Sequence, residues 1–254
     1  MSISNLNPED FYFAIARGNL SGINYVHKFG RNPDIDTSDG FEAIWNGGGD
    51  YTGFNATAAE TVEVFSSDGN DTSAGTGART VELFGLDGDY LEINETVTLN
   101  GATAVDTVNT YIRLSHAIVR SAGSGGENAG DITVRQKTTT ANVFCAVPTG
   151  YNQTMIAAYT VPAGKTAHIT SWFACLSRRN NALSQVKMLM RPPDEVFHVK
   201  EEFTVAYTGT SYVLREYRVP KDSIAAKTDI KIMADTNTNN NGVAAGFDLI
   251  LIDD

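Results

Sequence analysis

The chain has 254 residues with 19 basic and 30 acidic side chains, a formal net charge of −11. That length suffices for one large all-β domain or two ordinary ones, with a core that needs neither metal nor disulfide staples. The negative charge opposes non-specific attachment to nucleic acid or to an anionic membrane, both of which depend on Lys and Arg neutralising phosphate.

The first 43 residues read as an N-terminal arm. Asn7-Pro8-Glu9-Asp10 suits the start of a short helix over Phe11 to Arg17, because Pro fits the first turn and acids favour the positive helix end. Beyond it, Gly30-Arg31-Asn32-Pro33-Asp34-Ile35-Asp36 is extended or turn-like, since Pro33 disfavours helix at the residue before it. Period-2 alternation then takes over. Strands are expected at Thr61 to Phe65, Thr80 to Phe84, Leu91 to Leu99, Thr110 to Val119 and Asp131 to Gln136. In Leu91 to Leu99 the odd positions are apolar except Glu95. Gly85-Leu86-Asp87-Gly88-Asp89 carries the turn chemistry that joins this strand to the preceding one as a hairpin.

After Thr138-Thr139-Thr140 the same style resumes. Strands are expected at Ile156 to Val161, Thr166 to Ala174, Val186 to Met190, Val196 to Val205, Tyr212 to Val219, Asp229 to Ala234 and Gly246 to Ile252. Pro162-Ala163-Gly164-Lys165 reads as a turn and Ser177-Arg178-Arg179-Asn180-Asn181 as a loop. The fold class is therefore all-β: two antiparallel β-sandwich or jelly-roll-like domains at 44–138 and 139–254, preceded by the arm at 1–43.

Signals for chemistry are weak. Val161-Pro162-Ala163-Gly164-Lys165-Thr166 ends like a phosphate-binding loop, but Tyr159 stands where the first glycine belongs. Asp68-Gly69-Asn70-Asp71-Thr72-Ser73 begins like a calcium loop and then places Ser73 and Arg79 where Gly and Glu are required. His27, His116, His168 and His198 show no metal-ligand spacing, and Ala122 breaks the nucleophile-elbow pattern around Ser124. Cys145 and Cys175 cannot build a disulfide framework, no signal peptide is expected because Met1-Ser2-Ile3-Ser4-Asn5 lacks a basic segment followed by an apolar one, and the longest apolar run, near Phe247 to Ile252, is too short to span a bilayer. The expectation is a protein without catalytic residues, metal or cofactor.

Three stretches carry a resemblance. His27 to Thr37 with Phe41 to Tyr51, then Ala74 to Thr80 with Gly85-Leu86-Asp87 and Glu95 to Gly101, and finally Val161 to Thr166 with Ala245 to Leu251 resemble a family of virion structural proteins of tailed, notably marine, bacteriophages. The resemblance implies a non-enzymatic component of the particle, made in the host cytoplasm. It also implies a decoration or cement protein on the outer capsid surface, partnered by the major capsid protein and by itself as a homotrimer. A tail or fibre-base position involved in host attachment is the alternative. The contact residues expected for such a role, taken from the arm and its end, are Phe11, Phe13, Arg31, Asp34, Asp36 and Trp45, with the aromatics as anchors; for Trp45 the equal alternative is that it and the glycines after it simply open the first β domain. Charge is uneven: residues 1–127 carry 6 basic and 18 acidic side chains, residues 128–254 carry 13 and 12. The acidic half is accordingly expected to seek a basic capsid surface.

Overall fold

The computed structural model describes residues 8–176, 182–207 and 211–254, with the backbone alone at 8–10 and 220–222. Asn7 and the expected loop at 177–181 lie outside the described residues.

The helix forms as α1, Pro8–Ala16. The chain then enters β1, Ile23–Ile35, which the sequence reading assigned to the arm. Instead β1 pairs antiparallel with the last strand, β16, Asn241–Asp253, from Ile23 opposite Ile252 to Asn32 opposite Val243. Pro33 is accommodated at the end of this ladder, where a register shift precedes Ile35.

The other strands of this block are β10 (Ala158–Thr160), β11 (Lys165–Leu176), β12 (Leu183–Arg191), β13 (His198–Ala206), β14 (Tyr212–Ile224) and β15 (Asp229–Thr236). They form two sheets, in the orders β1-β16-β11-β14 and β10-β15-β12-β13. Counted in chain order, the eight strands of the block pair first with last, second with seventh, third with sixth and fourth with fifth. Four nested antiparallel pairs rolled into two facing sheets make a jelly roll. Its core holds Trp172, Phe247, Ile35, Ile230 and Met188, all fully buried. β15 and β16 are central strands and are buried along nearly their whole length, β16 through a near-continuous apolar run and β15 with Asp229 and Lys231 buried among its apolar residues.

The second sandwich is an insertion in the connection from β1 to β10. The chain leaves the jelly roll through β2 (Glu42–Ala43), which pairs with β15, and Trp45 bridges to Ile156 on the returning segment. Ala157 N–H donates to Ile44 O at 2.9 Å and Ile44 N–H to Ile232 O at 3.0 Å, so the two stems lie side by side on the jelly-roll sheet. Gly30 lies against this stem, where a Cβ would run into Ile44 O and Ala157 N. Within the insertion, β3 (Glu60–Ser66), β6 (Val105–Tyr111), β8 (Ile132–Gln136) and β9 (Val143–Val147) form a sheet ordered β6-β3-β8-β9. β4 (Ala78–Leu86), β5 (Glu92–Thr98) and β7 (Arg113–Ala122) form the other, ordered β5-β4-β7. Val81, Leu83, Ile132, Tyr111 and Phe144 fill the core between them.

Two expected boundaries therefore move. The arm gives up residues 23–35 to the jelly roll, and the division at 138/139 gives way because β9 pairs with β8 of the inserted sandwich. The hairpin from β4 to β5 is found as expected, with Leu83 opposite Glu95. The Asp87 side chain accepts from Asp89 N and Leu91 N, both at 2.9 Å, to build its turn. Glu95, the one charged residue on the inward-tending side of β5, accepts from Val108 N and Asn109 N at 2.8 and 2.9 Å and so fastens the connection into β6. At Gly164 the backbone adopts a φ of 71°, as the expected turn requires, but β10 and β11 on either side belong to different sheets.

Candidate interaction surface

α1 lies over the outward face of the β1-β16-β11-β14 sheet. Ile15 is buried and Phe11 half-buried, four residues apart on one side of the helix. Tyr12 and Phe13 are 50% and 62% exposed, Tyr12 at the edge of the helix that faces the sheet. Phe11 and Tyr12 meet edge to face at 5.7 Å, and the Arg17 guanidinium stands over the Phe13 ring at 5.7 Å. Between helix and sheet is a cleft of about 550 Å³ lined by Tyr12, Ile15, Tyr25, Ser171, Arg218 and Asp248.

The sheet's register lines up one polar row that ends in this cleft, with His27 opposite Asp248 and Asp248 opposite Ser171. The Asp248 carboxylate accepts from Tyr25 OH at 2.5 Å, from His27 Nδ1 at 2.6 Å and from Ser171 Oγ at 2.5 Å. Burial works to raise the Asp248 carboxyl, but the hydrogen bonds from Ser171, Tyr25 and His27 outweigh it and hold the group below the ordinary carboxylate value. Burial and the bond to Asp248 push the Tyr25 phenol upward. Ser171 bonds the carboxylate rather than the imidazole, so this cluster lacks the hydroxyl-to-histidine contact that activates a serine nucleophile. One row further along the sheet, the Phe173 ring packs over Gly246, where a Cβ would meet it at 2.7 Å.

The remaining expected contact residues divide. Arg31 in β1 donates to Tyr151 OH of the inserted sandwich at 3.3 Å. Asp34 is exposed, and its N–H donates to Asn32 Oδ1 at 3.1 Å. Asp36 accepts from Asn240 N at 2.6 Å and ties the turn after β1 to the connection before β16. Trp45 is not a surface anchor. It is 5% exposed, donates from Nε1 to Gly48 O at 2.9 Å and packs edge to face on Tyr51 at 5.3 Å. With Tyr51, Phe54, Ala43, Ile156 and Ala158 it forms a third small core at the root of the insertion.

Beside that core is a polar fastening that the sequence reading missed. Arg113 of β7 donates through Nε and Nη2 to both oxygens of Asp229 in β15, at 3.0 and 3.1 Å. Arg191 and Thr160 bond the same carboxylate at 2.6 and 2.5 Å. No local pattern announces such a cluster, because Arg113 and Asp229 are 116 residues apart. The candidate calcium loop proves to be another fastening. Buried Asp71 accepts from Ala78 N, Ala129 N, Gly130 N and Ser66 Oγ and locks two loops of the insertion together. Lys165 of the phosphate-loop-like stretch pairs with Asp253 at 2.8 Å. Among the described residues no group of three His, Cys, Asp or Glu side chains is placed to hold a metal ion, and no helix is long and apolar enough to cross a membrane.

Fold and surface together define an all-β protein of two sandwiches, one a jelly roll, whose polar clusters are fasteners and whose helix carries exposed aromatics. No protein-family model and no curated protein matches the chain. Among solved structures it is similar to a chain of the broad bean stain virus particle, at 7% identity and a TM-score of 0.23 over 77% of this chain and 85% of that one. It is also similar to the VP2 subviral particle of infectious bursal disease virus, at 9% identity and a TM-score of 0.26 over 96% of this chain and 78% of that one. The Gx strain of the same virus gives 10% identity and a TM-score of 0.25 over 91% and 72% of the respective chains. Scores this low carry no weight for fold or function, and the jelly roll rests on the strand pairings above.

Proposed function

We propose that this chain is a non-enzymatic structural component of a virus particle and, within that class, a decoration protein on the outer head surface of a tailed bacteriophage. It binds the major capsid protein there and associates with itself as a trimer at three-fold points, where a closed symmetric assembly meets several capsid subunits at once. Jelly rolls serve viral coats and lectins alike, so the fold leaves the choice to the surface.

The observation that carries the reading is the aromatic edge of α1. Tyr12 and Phe13 are 50% and 62% exposed on a helix seated on the jelly-roll sheet, next to Tyr25, itself 50% exposed. Neighbouring exposed aromatics on a rigid support are the composition of a protein contact, since large aromatic side chains dominate interface energetics. The motifs behind the phage resemblance support it differently: His27 to Thr37 and Ala245 to Leu251 are largely β1 and β16, the first and last strands of the roll.

The test is retention on purified capsids that lack the protein, measured by co-sedimentation. The double variant Tyr12→Asp/Phe13→Asp is expected to weaken retention at least about tenfold, at roughly 1.4 kcal/mol per factor of ten. Undiminished retention of that variant, and of a chain lacking residues 1–20, overturns the role of α1. Binding to isolated tails and not to heads replaces the head assignment with the tail or fibre-base one.

A further inference from the structure

We propose that the cavity between β1 and β7, where the jelly roll meets the inserted sandwich, is a binding site for a small oxyanion such as inorganic phosphate, held by Lys28 and His116. The proposal does not depend on the virion reading.

The cavity is a cleft of about 370 Å³, open on one side and lined by Lys28, Ser115, His116, Gln153, Thr154 and Tyr159 among others. Lys28 is 7% exposed. Its ammonium has three donors, and among the described residues the backbone oxygen of Ser115 takes one of them. A lysine this deeply buried is ordinarily paired with an acid. Among the described residues Lys28 has no such partner.

His116 presents a second donor. Thr154 Oγ1 accepts from Ala117 N at 3.2 Å and sits 2.7 Å from His116 Nδ1. Thr154 is 2% exposed, so its hydroxyl proton needs an acceptor, and Nδ1 is the one within reach. That assigns the neutral ring's own proton to Nε2. The site therefore offers N–H donors from Lys28 and His116 and the one positive charge of Lys28.

The acids and bases around it leave that charge uncompensated. Glu92 lines the cavity but is mostly exposed and lies 3.7 Å from Lys165. Burial pushes the Cys145 thiol up to about 12 and the Tyr159 phenol upward, keeping both neutral. His27 lies on the lining too and is bonded to Asp248. Burial lowers Lys28 to about 8, while burial together with Lys28 and Arg120 lowers His116 to about 4. An oxyanion between the two groups would supply the missing acceptor and reverse both shifts.

The experiment is an NMR titration of the His116 ring in the full chain with sodium phosphate, against sodium chloride at equal ionic strength, with the melting temperature read in parallel. Phosphate is expected to move the His116 resonances saturably and raise its proton affinity at least about tenfold. At ten times Kd the melting temperature should rise by about 3–5 °C. Lys28→Met, which removes the charge and keeps the volume, should lose the phosphate effect. The absence of a saturable change, an equal change with chloride, or unaltered phosphate binding by Lys28→Met overturns the site. The phosphate-against-chloride comparison in the unmodified protein decides the matter even if the variant does not fold.

Discussion

Arg113 and Asp229 form a two-point ion pair across the joint between the inserted sandwich and the jelly roll, with both side chains almost fully buried, at 7% and 3% exposure. Arg113 also donates to the carbonyls of Ala56 and Ile112, so the guanidinium holds three segments at once. Burial alone would make Arg113 easier to deprotonate, but Asp229 more than reverses that and raises it. Asp229→Ala would leave Arg113 without its counter-charge and strip Arg191 of its buried acceptor. A loss of about 3–5 kcal/mol is expected in urea unfolding. A change below about 1 kcal/mol would show that the joint does not depend on this pair.

Asp248 makes stability depend on acid. Its carboxyl titrates lower in the folded protein than in the unfolded chain, so the unfolded state takes up the proton first as pH falls. The contribution is complete above about pH 4, the unfolded value, and is lost as pH falls through the folded one. Asp248→Asn should therefore be less stable than the parent at neutral pH, with the gap closing under acid. A gap that stays constant between neutral pH and pH 3 would contradict the assignment.

Lys28 has the opposite consequence for engineering. Its ordinary value of 10.5 falls to about 8 on burial, so between those values the unfolded state binds more protons and stability rises with pH. Below about pH 8 the full cost remains. Lys28→Met should raise stability at pH 7 by up to about 3 kcal/mol and flatten the pH dependence between 8 and 10.5. Denaturant melts across that window check both parts.

The stem of the insertion is sterically tight at Gly30. Gly30→Ala drives a methyl group into the Ile44 and Ala157 backbones. A destabilisation of about 1–3 kcal/mol is expected, read as a lower melting temperature.

Much of the insertion was legible because its signals are local. Leu91 to Leu99 alternates as a strand should, and even its exception, Glu95, has a local task in capping the connection to β6. β1 was not legible. Its Gly30 and Pro33 look like an extension, and the partner that makes it a strand lies at the far end of the chain. The cluster at Asp248 was hidden for the same reason, with Tyr25 lying 223 residues away. Thr138 to Thr140 imitated a domain linker because composition does not reveal that β9 returns to β8.

The placement of β1 changes what truncation does. A chain lacking residues 1–20 keeps all eight strands of the roll and should fold. One lacking residues 1–43 loses β1 and β2 and should not. Circular dichroism with a thermal melt separates them, and equal melting would contradict the role of β1.

The charge asymmetry also takes a new boundary. The inserted segment 44–157 carries 5 basic and 13 acidic side chains, so the excess acid belongs mainly to the insertion. If this block faces basic capsid surface, retention on heads should fall as salt rises from about 0.05 to 0.5 M, where the screening length shrinks below the spacing of unburied charges.

The place proposed for this protein is the outer shell of a virus particle. Cryo-electron microscopy of the intact particle tests it most directly. Many symmetry-related copies of the two-sandwich body are expected on the head, with α1 turned toward the capsid. Its absence from purified particles, or density confined to the tail, would contradict that placement.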